Sequence, residues 1–109
     1  MLPKANRLTK ESDFQKVFKN GRLAAGRLIW LKYKKNNSDR ARAGFVVGMK
    51  ISKKATERNK IKRRLRSALH RFFRETSGYD VVIGAKPEIR GKKFSEIVRD
   101  LEILLSKIK

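Results

Sequence analysis

The segment from Lys50 to Arg74 constrains the chain most, because it combines dense positive charge with the apolar periodicity of a helix. It contains eleven Lys and Arg residues and a single carboxylate, Glu57. Its apolar residues recur at spacings that place them on one face of an α-helix: Ile61, Leu65, Ala68, Leu69, Phe72 and Phe73. The sequence therefore predicts a helix that is docked on a core and holds its cations in fixed positions.

The charge of the whole chain indicates a polyanionic partner. Like charges one helical turn apart repel each other, so such an array is favourable only beside a polyanion. The 109 residues include 30 Lys and Arg against 10 Asp and Glu, a formal net charge of +20. This excess favours nucleic acid over an anionic membrane surface, and no apolar run approaches the roughly 18–20 residues that span a bilayer.

Composition also limits the class of protein. The chain has no cysteine, which excludes a disulfide framework and Cys-type zinc sites. The N-terminal stretch lacks the apolar core of a signal peptide. We expect a cytoplasmic protein with one domain over residues 1–109, folded by packing alone.

Hydrophobic periodicity and turn residues predict seven main elements. In chain order these are a helix from about Lys10 to Asn20, strands at Arg22–Ala25, Leu28–Lys34 and Ala43–Met49, the basic helix starting between Lys53 and Arg58, a buried strand at Tyr79–Ala85, and a helix from about Ser95 to Lys107. Thr9 and Ser95 are candidate N-caps, and Gly21 suits a left-handed position after the first helix. The order α-β-β-β-α-β-α predicts a small α+β sandwich with helices packed on one sheet.

The cations of the basic helix divide by their position around the helix. Arg58, Lys62 and Arg66 follow one edge of the apolar stripe, whereas Lys60, Arg63, Arg64, Arg71 and Arg74 spread over the outer side. Arg58 falls within the arc of the stripe near the start of the helix. It either covers the edge of the core with its stem or points into a groove beside the sheet.

Nothing in the sequence supports hydrolysis by the protein itself. The single histidine, His70, has no carboxylate at a suggestive spacing, and the acidic residues are scattered rather than clustered as a two-metal nuclease site requires. The glycines do not have the spacing of a phosphate-binding loop. Any bond-breaking in which the chain takes part must therefore come from a partner, and we predict no metal site in the protein.

Several motifs, taken in order, resemble the bacterial ribonuclease P protein subunit. The most specific is the basic run KKATERNKIKRRLR, residues 53–66. It is preceded by NRL at 6–8, DFQKVFKNG at 13–21 and GFVVG at 44–48, and it is followed by DVVI at 80–83. The resemblance covers roughly Arg7 to Lys107. The sequence departs from the family at Lys60, where Arg is usual, and at Lys32, where relatives often carry an aromatic residue.

This resemblance implies a fold and a function. The fold is a mixed four-stranded sheet with a left-handed crossover from the strand before the basic helix to the Tyr79–Ala85 strand. The protein would bind the catalytic RNA subunit of ribonuclease P and the single-stranded 5′ leader of precursor tRNA, and so aid removal of the leader. Hydrolysis would reside in the RNA subunit with Mg²⁺, and the protein alone would bind no cofactor. The sequence does not fix its oligomeric state.

The resemblance also implies two sets of site residues. The RNA-binding set on the basic helix is Lys53, Lys54, Arg58, Asn59, Lys60, Lys62, Arg63 and Arg66, and the leader-binding cleft set is Phe14, Phe18, Trp30 and Lys32. Simpler interpretations remain open, since Asn59 could be a capping residue and the three aromatic residues could belong to the core. The main alternative function is that of a basic ribosomal protein, which would sediment with a ribosomal subunit and leave tRNA processing unaffected.

Overall fold

The computed structural model describes residues 6–72 and 76–108. Its helices and strands are α1 Glu11–Asn20, β1 Arg22–Ala25, β2 Ile29–Lys35, β3 Arg42–Val46, α2 Ala55–His70, β4 Tyr79–Ala85 and α3 Phe94–Leu105, with a 3₁₀ turn at Pro87–Ile89 before α3. The predicted order is confirmed, and the predicted bounds of β1 and β4 agree with the structure. The prediction that β3 continues to Met49 is wrong, because the strand ends at Val46. Phe73 and Arg74 lie outside the described residues.

The four strands form one mixed sheet in the order β1-β2-β4-β3. Strand β2 pairs antiparallel with both β1 and β4, whereas β3 pairs parallel with β4. In the β2–β4 pair, Trp30 lies opposite Gly84 and Lys32 lies opposite Val82. The continuous apolar run of β4 is explained by this topology, since the strand is internal and covered on both faces.

The crossover from β3 through α2 to β4 is left-handed. The Ala43 carbonyl accepts a hydrogen bond from the Leu8 N–H (2.9 Å) on the outer edge of β3, so the Ala43 peptide groups point away from β4. The Ala43 side chain lies in the core beneath α2. Viewed from the side of α2 with β3 running upward, an L-residue whose side chain faces the viewer directs its own N–H and C=O groups to the right. The Ala43 peptide groups therefore point to the right of β3, and β4 lies to its left. Because about 98% of such crossovers are right-handed, this hand is a distinctive feature of the fold.

The helices cover both faces of the sheet. On one face, α2 and α3 enclose the main core, in which Leu65, Ile83 and Leu101 are fully buried. On the other face, α1 covers a smaller cluster of Leu8, Val17 and Val82. The basic helix is therefore docked by its apolar stripe, as predicted.

The predicted helix caps are wrong in their details. The N-caps of α1 and α3 are Lys10 and Lys93, not Thr9 and Ser95, and the Lys93 N–H instead donates to the Glu96 carboxylate (2.9 Å). Gly21 follows α1 in an extended conformation, with φ −81°. A side chain there would collide with the Val17 carbonyl, so close approach rather than a left-handed turn requires glycine.

Two carboxylates anchor distant segments to each other. The buried Asp100 of α3 accepts hydrogen bonds from the N–H groups of Arg27 (3.2 Å), Leu28 (3.0 Å) and Ile29 (3.1 Å), which fixes the β1–β2 turn. At the other end of the sheet, Arg42 donates to Asp80 through Nε (2.8 Å) and Nη2 (2.6 Å). These hydrogen bonds raise the pKa of Arg42 although its partial burial opposes the shift.

Candidate nucleic-acid interface

An aromatic cluster lies on the sheet face that α1 covers. The Phe14 and Phe18 rings stack with their centroids 6.5 Å apart, and the Phe18 centroid lies 6.2 Å from that of Trp30. The two phenylalanines are one turn apart on α1, and Trp30 projects from β2 towards the same face. Gly84 makes room for the indole and Gly44 for the Phe14 ring, since a Cβ at either position would overlap the ring.

The three aromatic rings of this cluster are less buried than the side chains of the main core. Val17, between the two phenylalanines, is fully buried, whereas Phe14, Phe18 and Trp30 are each half-buried. The rings thus pack on the small cluster beneath α1 and keep part of their surface accessible to a ligand. Such surfaces can stack nucleobases, because every base offers a π-face to an aromatic ring. The role of the three residues in leader binding stays a prediction.

Lys32 connects the aromatic cluster to the sheet. Its ammonium donates a hydrogen bond to the Phe18 carbonyl (2.9 Å) and lies 5.7 Å from the centroid of the Phe18 ring. Lys32 therefore places a cation beside the stacked rings. A nucleobase can stack on an aromatic ring, and a phosphate can pair with a cation. The aromatic rings and the Lys32 ammonium together offer both kinds of contact.

The predicted RNA-binding residues of the basic helix differ in exposure. Those fully on the surface are Lys53, Lys54, Asn59, Lys60 and Arg63, and those half-buried along the edge of the stripe are Arg58, Lys62 and Arg66. Arg58 Nη1 donates to the Ser52 carbonyl (2.9 Å), so its stem covers the core edge while its head holds the preceding loop. Asn59 is not a cap, because the N-cap of α2 is Lys54.

A groove at the outer edge of β3, where Leu8 pairs with Ala43, lies between Phe14 of the aromatic cluster and the basic helix. Phe14 and Gly44 line one side of it, and Phe45, Lys62 and Arg66 line the other. The Arg66 guanidinium carbon lies 5.8 Å from the centroid of the half-buried Phe45 ring. Our sequence analysis assigned Phe45 to a strand and did not include it among the site residues. The ring is half-buried because β3 is an edge strand, which only the sheet order shows.

The described residues contain neither a cluster of metal-ligand side chains nor a membrane-spanning helix. Within 6–72 and 76–108, no three His, Cys, Asp or Glu side chains are grouped closely enough to hold a metal ion. His70 is exposed at the end of α2. In the same part of the chain, every helix falls short of the length and apolarity that a bilayer crossing requires.

Comparisons with known proteins agree on one family. The ribonuclease P family profile matches residues 2–109. The ribonuclease P protein component of Synechocystis is 37% identical over 107 residues, covering 96% of this chain and 86% of that protein. The Caldanaerobacter subterraneus protein of the same name is 36% identical, covering 98% and 92%.

Solved structures show the same likeness in three dimensions. The ribonuclease P protein of Thermotoga maritima has a TM-score of 0.86 at 30% identity and covers 94% of this chain and 97% of its own. The Staphylococcus aureus protein has a TM-score of 0.85 at 30% identity, with 94% of each chain covered. Sequence motifs, mixed-sheet topology and these likenesses agree, and the chain belongs to the ribonuclease P protein family.

Proposed function

We propose that this protein is the RNA-binding subunit of ribonuclease P, which holds the catalytic RNA and the 5′ leader of precursor tRNA while the leader is removed. The observation that carries the proposal is the continuity between two chemically different surfaces. Phe14 belongs both to the aromatic cluster with Phe18 and Trp30 and to the β3 groove, which Lys62 and Arg66 of α2 also line.

Each surface suits one part of a single-stranded RNA. Aromatic rings stack bases without reading their identity, at about 1–3 kcal/mol per base. Cations along the groove neutralise the phosphates between those bases. A leader whose sequence varies from one tRNA to another needs this kind of sequence-tolerant binding. Mature tRNA lacks the leader, so the protein would favour precursor over product.

The chemistry would come from the RNA subunit. Clustered metal ligands are lacking among the described residues of the protein, and in our proposal Mg²⁺ acts within the RNA, where it activates the attacking water. The protein contributes by screening the repulsion between two polyanions, with a formal net charge of +20. Membership of the ribonuclease P family favours this function over that of a ribosomal protein.

A salt titration of RNA binding tests the electrostatic part of the proposal. If the protein neutralises about eight phosphates on single-stranded RNA, the logarithm of the binding constant should fall with the logarithm of salt concentration at a slope near −6. The measurement uses a leader-length oligonucleotide and fluorescence anisotropy. A slope near zero would refute the electrostatic contribution.

A further inference from the structure

Helix α1 carries two rings of the aromatic cluster, yet little of the helix is buried. Val17 is its one fully buried residue, whereas Phe14 and Phe18 are half-buried. The apolar cluster beneath the helix is small as well, since Leu8 and Val82 are its other buried members among the described residues. Polar contacts with the sheet therefore contribute much of what fixes the position of α1 and of its two rings.

One arginine of the sheet reaches the first turn of α1. Arg42 Nη1 lies 3.5 Å from Asp13 Oδ2, which is an ion-pair distance. The same guanidinium donates to Asp80 of β4 through Nε (2.8 Å) and Nη2 (2.6 Å), so its orientation is fixed by the sheet. The side chains of Asp13 and Arg42 are only 16% and 34% exposed, so salt screens their contact less than it screens a fully exposed pair. We call the contact between Asp13 and Arg42 the α1 strap.

The α1 strap lies beside the place where the Phe14 ring meets the sheet. Arg42 and Gly44 are two residues apart on β3, so their positions face the same side of the sheet. Gly44 makes room for the Phe14 ring, and Phe14 directly follows Asp13 in α1. The ion pair and the ring contact are therefore neighbouring attachments of α1 to the same strand.

A cation of the sheet holds each end of α1. Arg42 contacts Asp13 in the first turn, and Lys32 donates a hydrogen bond to the Phe18 carbonyl (2.9 Å) in the last turn. Each attachment adjoins one of the two rings that stack on each other. Loss of the attachment at the first turn would thus free the end of α1 that carries Phe14, while the other end stays in place.

The position of Asp13 is unfavourable for RNA binding unless the carboxylate has another role. A negative charge beside a surface that stacks bases repels the phosphates between those bases. The chain has ten acidic residues against 30 basic ones, yet two of the ten, Asp13 and Asp80, contact one arginine at this face of the sheet. An attachment that holds α1 in place accounts for a carboxylate next to Phe14.

We propose that the α1 strap positions the leader-binding rings: Asp13 and Arg42 hold the first turn of α1 against β3 and so keep the Phe14 ring stacked beside Phe18. This proposal rests on the proposed function. It adds Asp13 and Arg42 as positioning residues, which act on the leader through Phe14 rather than by contacting the RNA. Our sequence analysis included neither residue in the site.

The test compares two variants of the full-length protein that each lose one carboxylate from the first turn of α1. The strap variant is Asp13→Ala, and the control is Glu11→Ala, at an exposed position of the same turn. Both substitutions remove one negative charge and introduce the best helix former, so α1 stays helical. The first measurement is amide hydrogen exchange of α1 in the free protein, by NMR. The second is the affinity of the complex with ribonuclease P RNA for precursor and for mature tRNA.

We expect Asp13→Ala to speed amide exchange in α1 about threefold and to lower the precursor-to-mature affinity ratio by a similar factor, as the loss of a partly exposed ion pair would. Glu11→Ala should change neither quantity by as much. In a Phe14→Leu background, Asp13→Ala should lower the affinity ratio no further, because the ring that the strap positions is already absent.

Three outcomes would overturn the inference. The first is equal amide exchange in α1 for the strap variant and the control. The second is an equal loss of affinity for precursor and mature tRNA in the strap variant. The third is a further fall of the ratio when Asp13→Ala is added to Phe14→Leu. A wild-type complex that does not prefer precursor over mature tRNA would instead refute the proposed function, while the exchange measurement on the free protein still tests the strap.

Discussion

The Lys32 ammonium lies 2.9 Å from the Phe18 carbonyl oxygen and therefore caps the end of α1 from the sheet. Phe18 is in the last turn of α1, whose carbonyl groups have no partner within the helix and carry its negative dipole end. A cation at this place both satisfies the carbonyl and holds the Phe18 ring near Trp30. The geometry of the aromatic cluster thus depends on a charged residue of β2.

The first prediction concerns this cap. Lys32→Met keeps the length of the side chain but removes its charge and its donor, so we expect a loss of about 1 kcal/mol in the free energy of unfolding. Precursor tRNA binding should weaken as well, because the Phe18 ring loses its fixed position. Urea denaturation and binding titrations measure the two effects. Lys35→Met, at an exposed position of the same strand, serves as control. Equal changes in the free energy of unfolding and in precursor tRNA binding for the two variants would contradict the role of Lys32 as a cap of α1.

The second prediction separates stacking from packing. Phe14→Leu retains an apolar side chain over Gly44 but removes the ring, so we expect precursor tRNA to bind more weakly by about 1–3 kcal/mol. Binding of mature tRNA should stay nearly unchanged, because it has no leader. The same substitution at Phe94, a half-buried ring on the opposite face, is the control. Equal losses for precursor and mature tRNA would show that Phe14 acts only through the fold.

The third prediction concerns the buried carboxylate of α3. Asp100→Ala leaves the N–H groups of Arg27, Leu28 and Ile29 without their acceptor. The Leu28 and Ile29 donors are buried, and because each unsatisfied buried donor costs about 1–3 kcal/mol, we expect the free energy of unfolding to fall by at least ~2 kcal/mol. Chemical denaturation measures it against Glu102→Ala, an exposed carboxylate on the same helix. A loss below ~1 kcal/mol would mean that water replaces the carboxylate.

The fourth prediction concerns the paired hydrogen bonds between Arg42 and Asp80. Lysine in place of Arg42 keeps the charge but cannot form the two parallel bonds. Since Arg42 is about one-third exposed, we expect a modest loss of about 1 kcal/mol on unfolding. Arg40→Lys, in the exposed turn before β3, should cost nothing measurable. If the Arg42→Lys variant has the same free energy of unfolding as the wild type, a single ionic contact to Asp80 stabilises the fold as well as the paired hydrogen bonds do.

The periodic part of the fold could be predicted from the sequence. The stripe of Ile61, Leu65 and Leu69 recurs at helical spacing, and the run in β4 is continuous because both faces of that strand are covered. Both patterns follow from burial alone. Phe14 and Phe18 are four residues apart in the sequence, and this spacing also indicates a shared helix face.

The details that sequence reasoning got wrong depend on competing local contacts. Thr9 and Ser95 have suitable side chains for caps, but the N-cap of α1 lies one residue after Thr9 and that of α3 lies two residues before Ser95. In α3 the Lys93 N–H is instead satisfied by Glu96. Gly21 was correctly identified as a stop, although the reason is its approach to the Val17 carbonyl.

The parts of the site that were missed arise from contacts between distant segments. Phe45 meets Arg66 because β3 is an edge strand beside α2. This pair has no spacing in the sequence that indicates its contact. The left-handed crossover that brings these segments together runs against the general rule and followed only from the family resemblance.

The measurement that tests the account most directly is cleavage of precursor tRNA at low Mg²⁺ by the ribonuclease P RNA, with and without this protein. We predict that the protein raises the cleavage rate of the RNA and that the purified protein, freed of nucleic acid, cleaves nothing. A protein that leaves the rate unchanged, or one that cleaves precursor tRNA without the RNA subunit, would contradict the account.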